Sequence, residues 1–148
     1  VNVIDGGYVF TSTEGGTAGN AGNVDILATQ RSFTAWGDWS DPPYWTRIFS
    51  ETRGTGRAGD VTITAPEIVV RGGYISSTTY AAGNAGSIRF YADVIRMSGG
   101  KGIPVVVESG ASDFTTGNGG NVEITGLPSA LAQPRYPQII RVRLPSPP

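Results

Sequence analysis

A Gly-rich phrase of eight residues occurs four times in the chain and constrains its fold more than any other feature. Its pattern is Gly, any residue, small, Gly, polar, apolar, any residue, apolar. The paired glycines of its four copies are Gly19 and Gly22, Gly56 and Gly59, Gly83 and Gly86, and Gly117 and Gly120. The copies are separated by unequal intervals of 37, 27 and 34 residues. A constant phrase at variable spacing predicts one structural repeat per copy, with the extra residues placed in loops.

Two shorter phrases recur between the copies of the glycine phrase. The first, a run of strand-forming residues, has copies that begin at Tyr8, Arg47, Tyr74 and, with a looser match, Val105. The second ends in two glycines and occurs at residues 4–7, 70–73 and 97–100. Three phrases per repeat predict three short strands joined by Gly-rich corners. We therefore expect an all-β fold, a right-handed parallel β-helix (β-solenoid) of about four coils with three short strands per coil.

The end of the glycine phrase predicts two inward columns, because side chains alternate between the two faces of a strand. The first column consists of Val24, Val61, Ile88 and Val122. The second consists of Ile26, Ile63, Phe90 and Ile124. The residues between them, which we expect to face solvent, are Asp25, Thr62, Arg89 and Glu123. Stacked repeats lie about 4.8 Å apart, so Arg89 and Glu123 are expected to be neighbours of opposite charge.

Composition excludes several classes of function. The 148 residues include 22 Gly and 10 Pro, which argues against long helices. A net charge of −1 with scattered charged residues gives little support to nucleic-acid binding. The chain has no apolar run of about 18 residues, the length that would predict a membrane span. Cysteine and histidine are absent, which excludes disulfides and thiolate metal sites and removes the commonest general base. We predict no metal site and no cofactor.

The chain divides into two parts on this interpretation. Residues 1–125 form the β-helix, interrupted by a Trp-rich loop at residues 34–46. Residues 126–148 form a Pro-rich tail, in which 138–144 could fold back as a capping strand over the open edge. The opening residues 1–4 read as a strand rather than a signal peptide, so we expect the numbering to begin inside a longer or processed protein.

The glycine phrase, together with Gly72-Gly73-Tyr74-Ile75-Ser76-Ser77-Thr78-Thr79, resembles repeats of filamentous haemagglutinin-like exoproteins, the large secreted partners of two-partner secretion systems. The resemblance covers roughly residues 1–125. It implies a right-handed parallel β-helix, export to the bacterial cell surface, and an adhesin or surface-filament role. The secretion domain of that family is not evident in this sequence.

The Trp-rich loop is the candidate site for a ligand or partner. It contains Trp36, Asp38, Trp39, Asp41, Tyr44 and Trp45, and it includes every tryptophan of the chain. Aromatic and acidic residues together suit the stacking and hydrogen bonding of sugars, and they equally suit a protein contact. The third and favoured interpretation is that the loop packs its own tryptophans onto the flank of the β-helix, since large aromatic side chains are usually mostly buried.

Two other patterns favour ordinary structure over function. Thr13, Thr52 and Thr79 form a row with Ser12 and Thr78, which is similar to the hydroxyl arrays of ice-binding solenoids. We interpret the row as ordinary strand residues of high β-propensity on a solvent-facing surface, because it contains only three stacked threonines and is interrupted by Glu51. The glycine phrase also has the outline of a calcium-binding repeat, but apolar residues such as Val24 and Val61 occupy the place of the ligating Asp.

The carboxylates are isolated from one another along the repeats, which disfavours a polysaccharide lyase or hydrolase. Glu51 and Glu108 share a sector but belong to separate repeats. We therefore predict no catalytic residues and a structural or adhesive segment of a secreted bacterial surface protein, acting as a spacer or filament subunit. The alternatives are a carbohydrate-binding module that uses the Trp-rich loop and, less favoured, a polysaccharide-active enzyme. Expected partners are a second copy by end-to-end stacking, or a host or matrix glycan or protein.

Overall fold

The computed structural model describes residues 1–4, 6–30, 32–36, 45–99, 104–112 and 115–127, with the backbone alone at 4, 36 and 127. The described ranges contain eleven strands and no helix. These are β1 (Asn2–Ile4), β2 (Tyr8–Thr13), β3 (Val24–Leu27), β4 (Ser32–Trp36), β5 (Arg47–Thr52), β6 (Val61–Thr64), β7 (Glu67–Arg71), β8 (Gly73–Thr79), β9 (Ile88–Ser98), β10 (Val105–Ala111) and β11 (Val122–Leu127). The expectation of an all-β fold is confirmed.

Every strand pair in the described ranges is parallel. Four strands form one sheet in the order β10-β8-β5-β2. The other seven form a curled sheet in the order β1-β4-β7-β9-β6-β3, with β11 also paired to β9. The curl follows from β9, whose first half pairs with β6 and whose second half pairs with β7. Consecutive strands along the chain therefore belong to different ladders, and the long strand β9 contributes to two of them.

The predicted columns of the glycine phrase are confirmed. Strands β3, β6, β9 and β11 pair the residues of the first column with one another, namely Val24, Val61, Ile88 and Val122. Two residues further along, the same strands pair the residues of the second column, namely Ile26, Ile63, Phe90 and Ile124. The central members of both columns are fully buried, whereas Ile124 at the end of its column remains 50 % exposed. Arg89 lies opposite Glu123, and their charged groups approach to 3.8 Å.

The predicted register of the fourth copy of the first short phrase is wrong by one residue. Tyr74 lies opposite Val106 and not Val105. A shift of one residue exchanges the two faces of a strand, and in the observed register Val105 and Val107 point inward and are buried. The same register brings Ser109 opposite Ser77, in line with Ser50 and Thr11.

Most of the Ser/Thr row lies inside the molecule. Its predicted solvent exposure is wrong for Thr52, Thr78 and Thr79, whereas Thr13 is half-buried and Ser12 is exposed. Thr52 and Thr79 are completely buried, and so are Ser50, Ser77 and Ser109, three members of a second hydroxyl column two residues away on the same face of the strands. That column, which we call the serine column, consists of Thr11, Ser50, Ser77 and Ser109. Burial is tolerated because these hydroxyls have backbone partners in the glycine phrases.

Each serine of the column joins two successive glycine phrases. The Ser77 hydroxyl donates to the carbonyl of Gly59 at 2.9 Å and accepts the N–H of Gly86 at 2.8 Å. The same pattern holds for Ser50, between Gly22 and Gly59, and for Ser109, between Gly86 and Gly120. One hydroxyl per repeat therefore satisfies a buried N–H and a buried C=O that the strand ladders leave unpaired.

Close approach of the backbones explains why the phrase requires glycine. A Cβ on Gly86 would overlap the carbonyl oxygen of Gly59, and a Cβ on Gly59 would overlap that of Gly22. Gly19, in the first copy, has no atom within 4 Å of such a Cβ. The glycines are therefore a steric requirement of stacking one phrase on the next.

On the outer side of the same corner, side-chain amides and carboxylates form hydrogen bonds between successive repeats. The Oδ1 atoms of Asn20 and Asn23 accept the backbone N–H groups of Arg57 and Asp60, at 2.8 and 2.9 Å. One repeat further on, the carboxylate of Asp60 accepts the N–H of Ser87 at 2.9 Å. The polar positions of the phrase thus bond to the backbone of the following repeat.

Replacing Ser77 by Ala should lower the free energy of unfolding by about 2 kcal/mol, because it leaves a buried N–H and a buried C=O without partners. Ser76 is a matched control, since it lies in the same strand, is equally buried and has a hydroxyl without a hydrogen-bond partner. We expect Ser76→Ala to be neutral or slightly stabilising in urea denaturation. Equal losses for the two variants would contradict the bridging role of the serine column.

Gly86→Ala should destabilise the fold by about 3 kcal/mol, the upper range for overpacking, because the new methyl group meets backbone that cannot rotate away. Gly19→Ala introduces the same methyl group into open space. It should leave stability unchanged or raise it by up to about 1 kcal/mol through the unfolded state. Thermal and urea unfolding of the two variants side by side would check the steric explanation.

Candidate functional site

The outward side of the four-stranded sheet carries a concentrated group of aromatic and cationic side chains. Their positions follow from the alternation within β2, β5 and β8, whose other side chains point into the core. We call this group the aromatic face. It consists of Tyr8, Phe10, Trp45, Arg47, Phe49 and Tyr74.

Tyr8 and Phe10 are the accessible rings of the aromatic face, with 53 % and 57 % of their surfaces exposed. Phe49 lies beside both of them and is almost fully buried. Its ring is stacked on that of Phe10, with centroids 5.1 Å apart and planes inclined by 14°, and it meets Tyr8 edge to face at 6.5 Å. Two exposed rings are therefore held in fixed orientations by a buried third ring.

Arg47 lies between the rings of Phe49 and Tyr74. Its guanidinium carbon is 5.0 Å from the centroid of Phe49 and 5.3 Å from that of Tyr74, within the range of cation–π attraction. Together with Tyr8, Trp45 and Tyr74, Arg47 lines a shallow hollow on this face. The hollow thus combines ring surfaces with a guanidinium group that keeps hydrogen-bond donors in reach of solvent.

Glu108 anchors one side of the face by accepting a hydrogen bond of 3.0 Å from the Tyr74 hydroxyl. Burial, followed by the negative charge of Glu108 and this hydrogen bond, raises the pKa of Tyr74 above its ordinary value of 10.0. Tyr74 therefore remains a neutral donor throughout the physiological range. The ring is fixed at both ends, by Arg47 over its surface and by Glu108 at its hydroxyl.

A second carboxylate, Glu51, lies on the same side of the sheet but is nearly inaccessible. It is 3.9 Å from Arg47. Burial and the charge of Glu51 raise the pKa of Tyr80, whose ring also receives the guanidinium of Arg53 at 5.6 Å. The register places Glu51 opposite Thr78, whereas Glu108 is opposite Ser76, so the two carboxylates occupy different columns on either side of β8.

The predicted Trp-rich loop contributes Trp45 to this face, where the residue is half-buried. Residues 34–36 of the predicted loop belong to β4, so Trp36 lies in a strand opposite Arg71. Asp38, Trp39, Asp41 and Tyr44 lie outside the described residues, as does the tail from 128 onward with its proposed capping strand at 138–144.

Sequence reasoning missed the other members of the aromatic face, although a signal was present. The first short phrase carries bulky outward residues at its first and third positions in repeats 1 and 2, Tyr8 and Phe10 followed by Arg47 and Phe49. The first position of this phrase places Tyr74 in line with Tyr8 and Arg47.

A separate row of alternating charges runs across the outer surface of the glycine phrases. Asp60 is 2.6 Å from Arg57 and 2.9 Å from Arg89, and Arg89 extends to Glu123. Partial burial tends to raise the pKa of Asp60, but the hydrogen bonds from Arg89 and the Ser87 N–H, with the charges of Arg57 and Arg89, bring it below 3.8. Every charge in this row has a partner within the fold, so its role is structural.

No group of three or more potential metal-ligating side chains occurs in the part of the chain that the structure describes. The same residues include no helix long and apolar enough to cross a membrane. Comparison with known proteins found no matching family model, no matching curated protein and no matching solved structure.

Asp60→Asn tests the charge row through its pH dependence. The amide can still accept the Ser87 N–H, as Asn23 does for Asp60, so the variant removes only the ion pairs. Because folding lowers the pKa of Asp60, its charge stabilises the protein above pH 3.8 and ceases to do so as the pH falls through the lower folded value. The variant should melt below the native protein at pH 7 and converge with it under strong acid. A difference in melting temperature that persists at pH 2 would contradict this assignment.

Proposed function

We propose that the chain is a segment of a right-handed parallel β-helix in an exported bacterial surface protein, and that it acts as an adhesive spacer. The support is the strand order: the chain visits three parallel ladders in rotation, so repeats 1 to 4 comprise β1–β3, β4–β6, β7 to the first half of β9, and the second half of β9 to β11. Parallel crossovers of this kind are almost always right-handed. The proposal of a surface location rests on the resemblance of the repeats to filamentous haemagglutinin-like exoproteins.

We propose further that the aromatic face binds carbohydrate, and one observation carries this. Two exposed rings, Tyr8 and Phe10, are held in place beside a hollow lined by Trp45, Arg47 and Tyr74. A sugar ring presents C–H groups that pack on aromatic surfaces and hydroxyls that pair with charged or phenolic groups. Sites for small ligands combine apolar walls with a few oriented polar groups in the same way.

The arrangement also favours an extended glycan over a single small sugar. The hollow is shallow and open, and its walls come from repeats 1, 2 and 3 through Tyr8, Arg47 and Tyr74. A chain of sugars lying along the stacking direction would contact successive repeats. Each contact contributes a modest binding free energy, and a polymeric ligand adds up several such contributions.

Binding to an array of bacterial, plant and animal glycans, followed by calorimetry on the strongest ligands, tests the proposal. Tyr8→Ala and Phe10→Ala should each weaken binding by about tenfold, the loss of about 1.4 kcal/mol that marks a significant contact residue. Both rings lie on the edge strand and are more than half exposed, so their truncation should leave the fold intact.

Leu27→Ala is the matched control, because Leu27 is a large apolar residue of the same first repeat, is 67 % exposed and belongs to the seven-stranded sheet, outside the aromatic face. The Leu27→Ala variant should bind glycan with the same affinity as the native protein. An array without any bound glycan, or equal losses for Leu27→Ala and Phe10→Ala, would overturn carbohydrate binding at this face.

A further inference from the structure

We propose that the aromatic face selects acidic glycans, and that the carboxylate groups of such a glycan pair with Arg47. The inference rests on the proposed carbohydrate binding and names the class of sugar that the same site takes. Its basis is the distribution of charge around the hollow: the guanidinium group of Arg47 is available to a ligand, whereas the two neighbouring carboxylates are covered or already paired.

Arg47 is the charged residue among the described residues that line the hollow. Its side chain is 36 % exposed, and the rings of Phe49 and Tyr74 pack against its guanidinium group. The N–H donors lie along the edges of that planar group. They form no hydrogen bond with another residue of the described ranges, and the nearest carboxylate, Glu51, is 3.9 Å away, beyond hydrogen-bond distance. The rings therefore hold the guanidinium group in place and leave its edges for a ligand.

The two carboxylates near Arg47 are much less available to a ligand. Only 6 % of the surface of Glu51 is exposed. Glu108 is half-buried, and its carboxylate accepts the hydrogen bond of 3.0 Å from the Tyr74 hydroxyl. A ligand that enters the hollow therefore contacts the positive charge of Arg47, whereas Glu51 is covered and Glu108 is already paired.

An acidic sugar suits this arrangement better than a neutral one. Covering a guanidinium group with a neutral sugar removes water from a charge and supplies no opposite charge in return. An anionic group supplies one, and charge-assisted hydrogen bonds are roughly twice as strong as neutral ones. A carboxylate is favoured over a sulfate ester, because it is planar and pairs edge to edge with the guanidinium group. The tetrahedral sulfate would direct oxygen atoms at the aromatic ring faces, which are negative.

Thr78 can compensate Glu51 when Arg47 pairs with a ligand. The register places Thr78 opposite Glu51 on the same side of the sheet. Its hydroxyl is buried and has no hydrogen-bond partner among the described residues. Residues opposite each other on paired strands are about 4.8 Å apart, so this hydroxyl can donate to the Glu51 carboxylate by rotation of its side chain. The sheet thus contains a donor for Glu51 that is independent of Arg47.

The experiment compares the binding of polygalacturonate with that of fully methyl-esterified polygalacturonate, by calorimetry on the 148-residue chain. The two polymers have the same sugar rings, and only the first carries charged carboxylates. The native protein should bind the acidic polymer about tenfold more tightly, the ratio expected when a neutral hydrogen bond is replaced by a charged one. Dextran sulfate serves as a third ligand, which separates carboxylate from sulfate recognition.

Arg47→Gln should remove the preference for the acidic polymer. Its affinity for polygalacturonate should fall about tenfold, and its affinity for the methyl ester should change by less than about threefold. Arg47→Lys keeps the charge without the planar fork and should retain only part of the preference. Arg71→Gln is the matched control, because it removes the same charge from an exposed position on β7 of the seven-stranded sheet. It should leave both affinities unchanged.

Glu51→Gln provides a test that a damaged fold cannot imitate, because it predicts a gain of affinity. Removing the negative charge beside Arg47 should strengthen binding of polygalacturonate about threefold, since the repulsion between Glu51 and the ligand carboxylates is lost. Binding of the methyl ester should not change. Circular dichroism of each variant checks that the strands are intact.

Equal affinities of the native protein for the acidic polymer and its methyl ester would overturn the selection of acidic glycans. Equal losses for Arg47→Gln and Arg71→Gln would do the same. In either case a loss of binding in Phe10→Ala would leave carbohydrate binding at this face standing. Tighter binding of dextran sulfate than of polygalacturonate would overturn the assignment to carboxylates. The absence of binding to any glycan, acidic or neutral, would overturn both proposals.

Discussion

The fold depends on the close contact between glycine backbones of successive repeats, held by one buried hydroxyl per repeat. Removing the Cβ lets the carbonyl of Gly59 approach Gly86, and the Ser77 hydroxyl then pairs both backbone groups. Backbone pairing alone does not do this, because the corner departs from strand geometry and leaves the N–H of Gly86 and the C=O of Gly59 without a backbone partner. Sterics and hydrogen bonding therefore impose separate requirements on the same corner, glycine in one phrase and a small hydroxyl residue in another.

This dependence explains which parts of the fold could be predicted from the sequence. The columns through Ile88 and Phe90 were predicted in the correct register because the glycines mark the same point in every repeat. The predicted register of β10 is wrong by one residue because the three adjacent valines, Val105, Val106 and Val107, do not distinguish one register from the next. Aligning Ser109 with Ser77 would have found it, had the hydroxyls been recognised as buried.

The candidate site was harder to predict for a different reason. A Trp-rich segment is conspicuous along the chain, whereas the aromatic face is assembled from single residues of three strands. Tyr8, Arg47 and Tyr74 are far apart in sequence and are not all of one residue type, and only the pairing of β2, β5 and β8 brings them together. Cation–π and aromatic contacts of this kind depend on side-chain orientation within a column, which no local pattern encodes.

The direction of the bonds between repeats has a mechanical consequence. Strands of neighbouring repeats are joined by hydrogen bonds that run along the stacking direction, as do the bridges made by Ser50, Ser77 and Ser109. Tension applied along that direction would load the repeats in series, so that the weakest junction opens first and the others stay closed. A stack of repeats built in this way would yield in steps of one repeat under tension, lengthening while the rest of the stack keeps its shape.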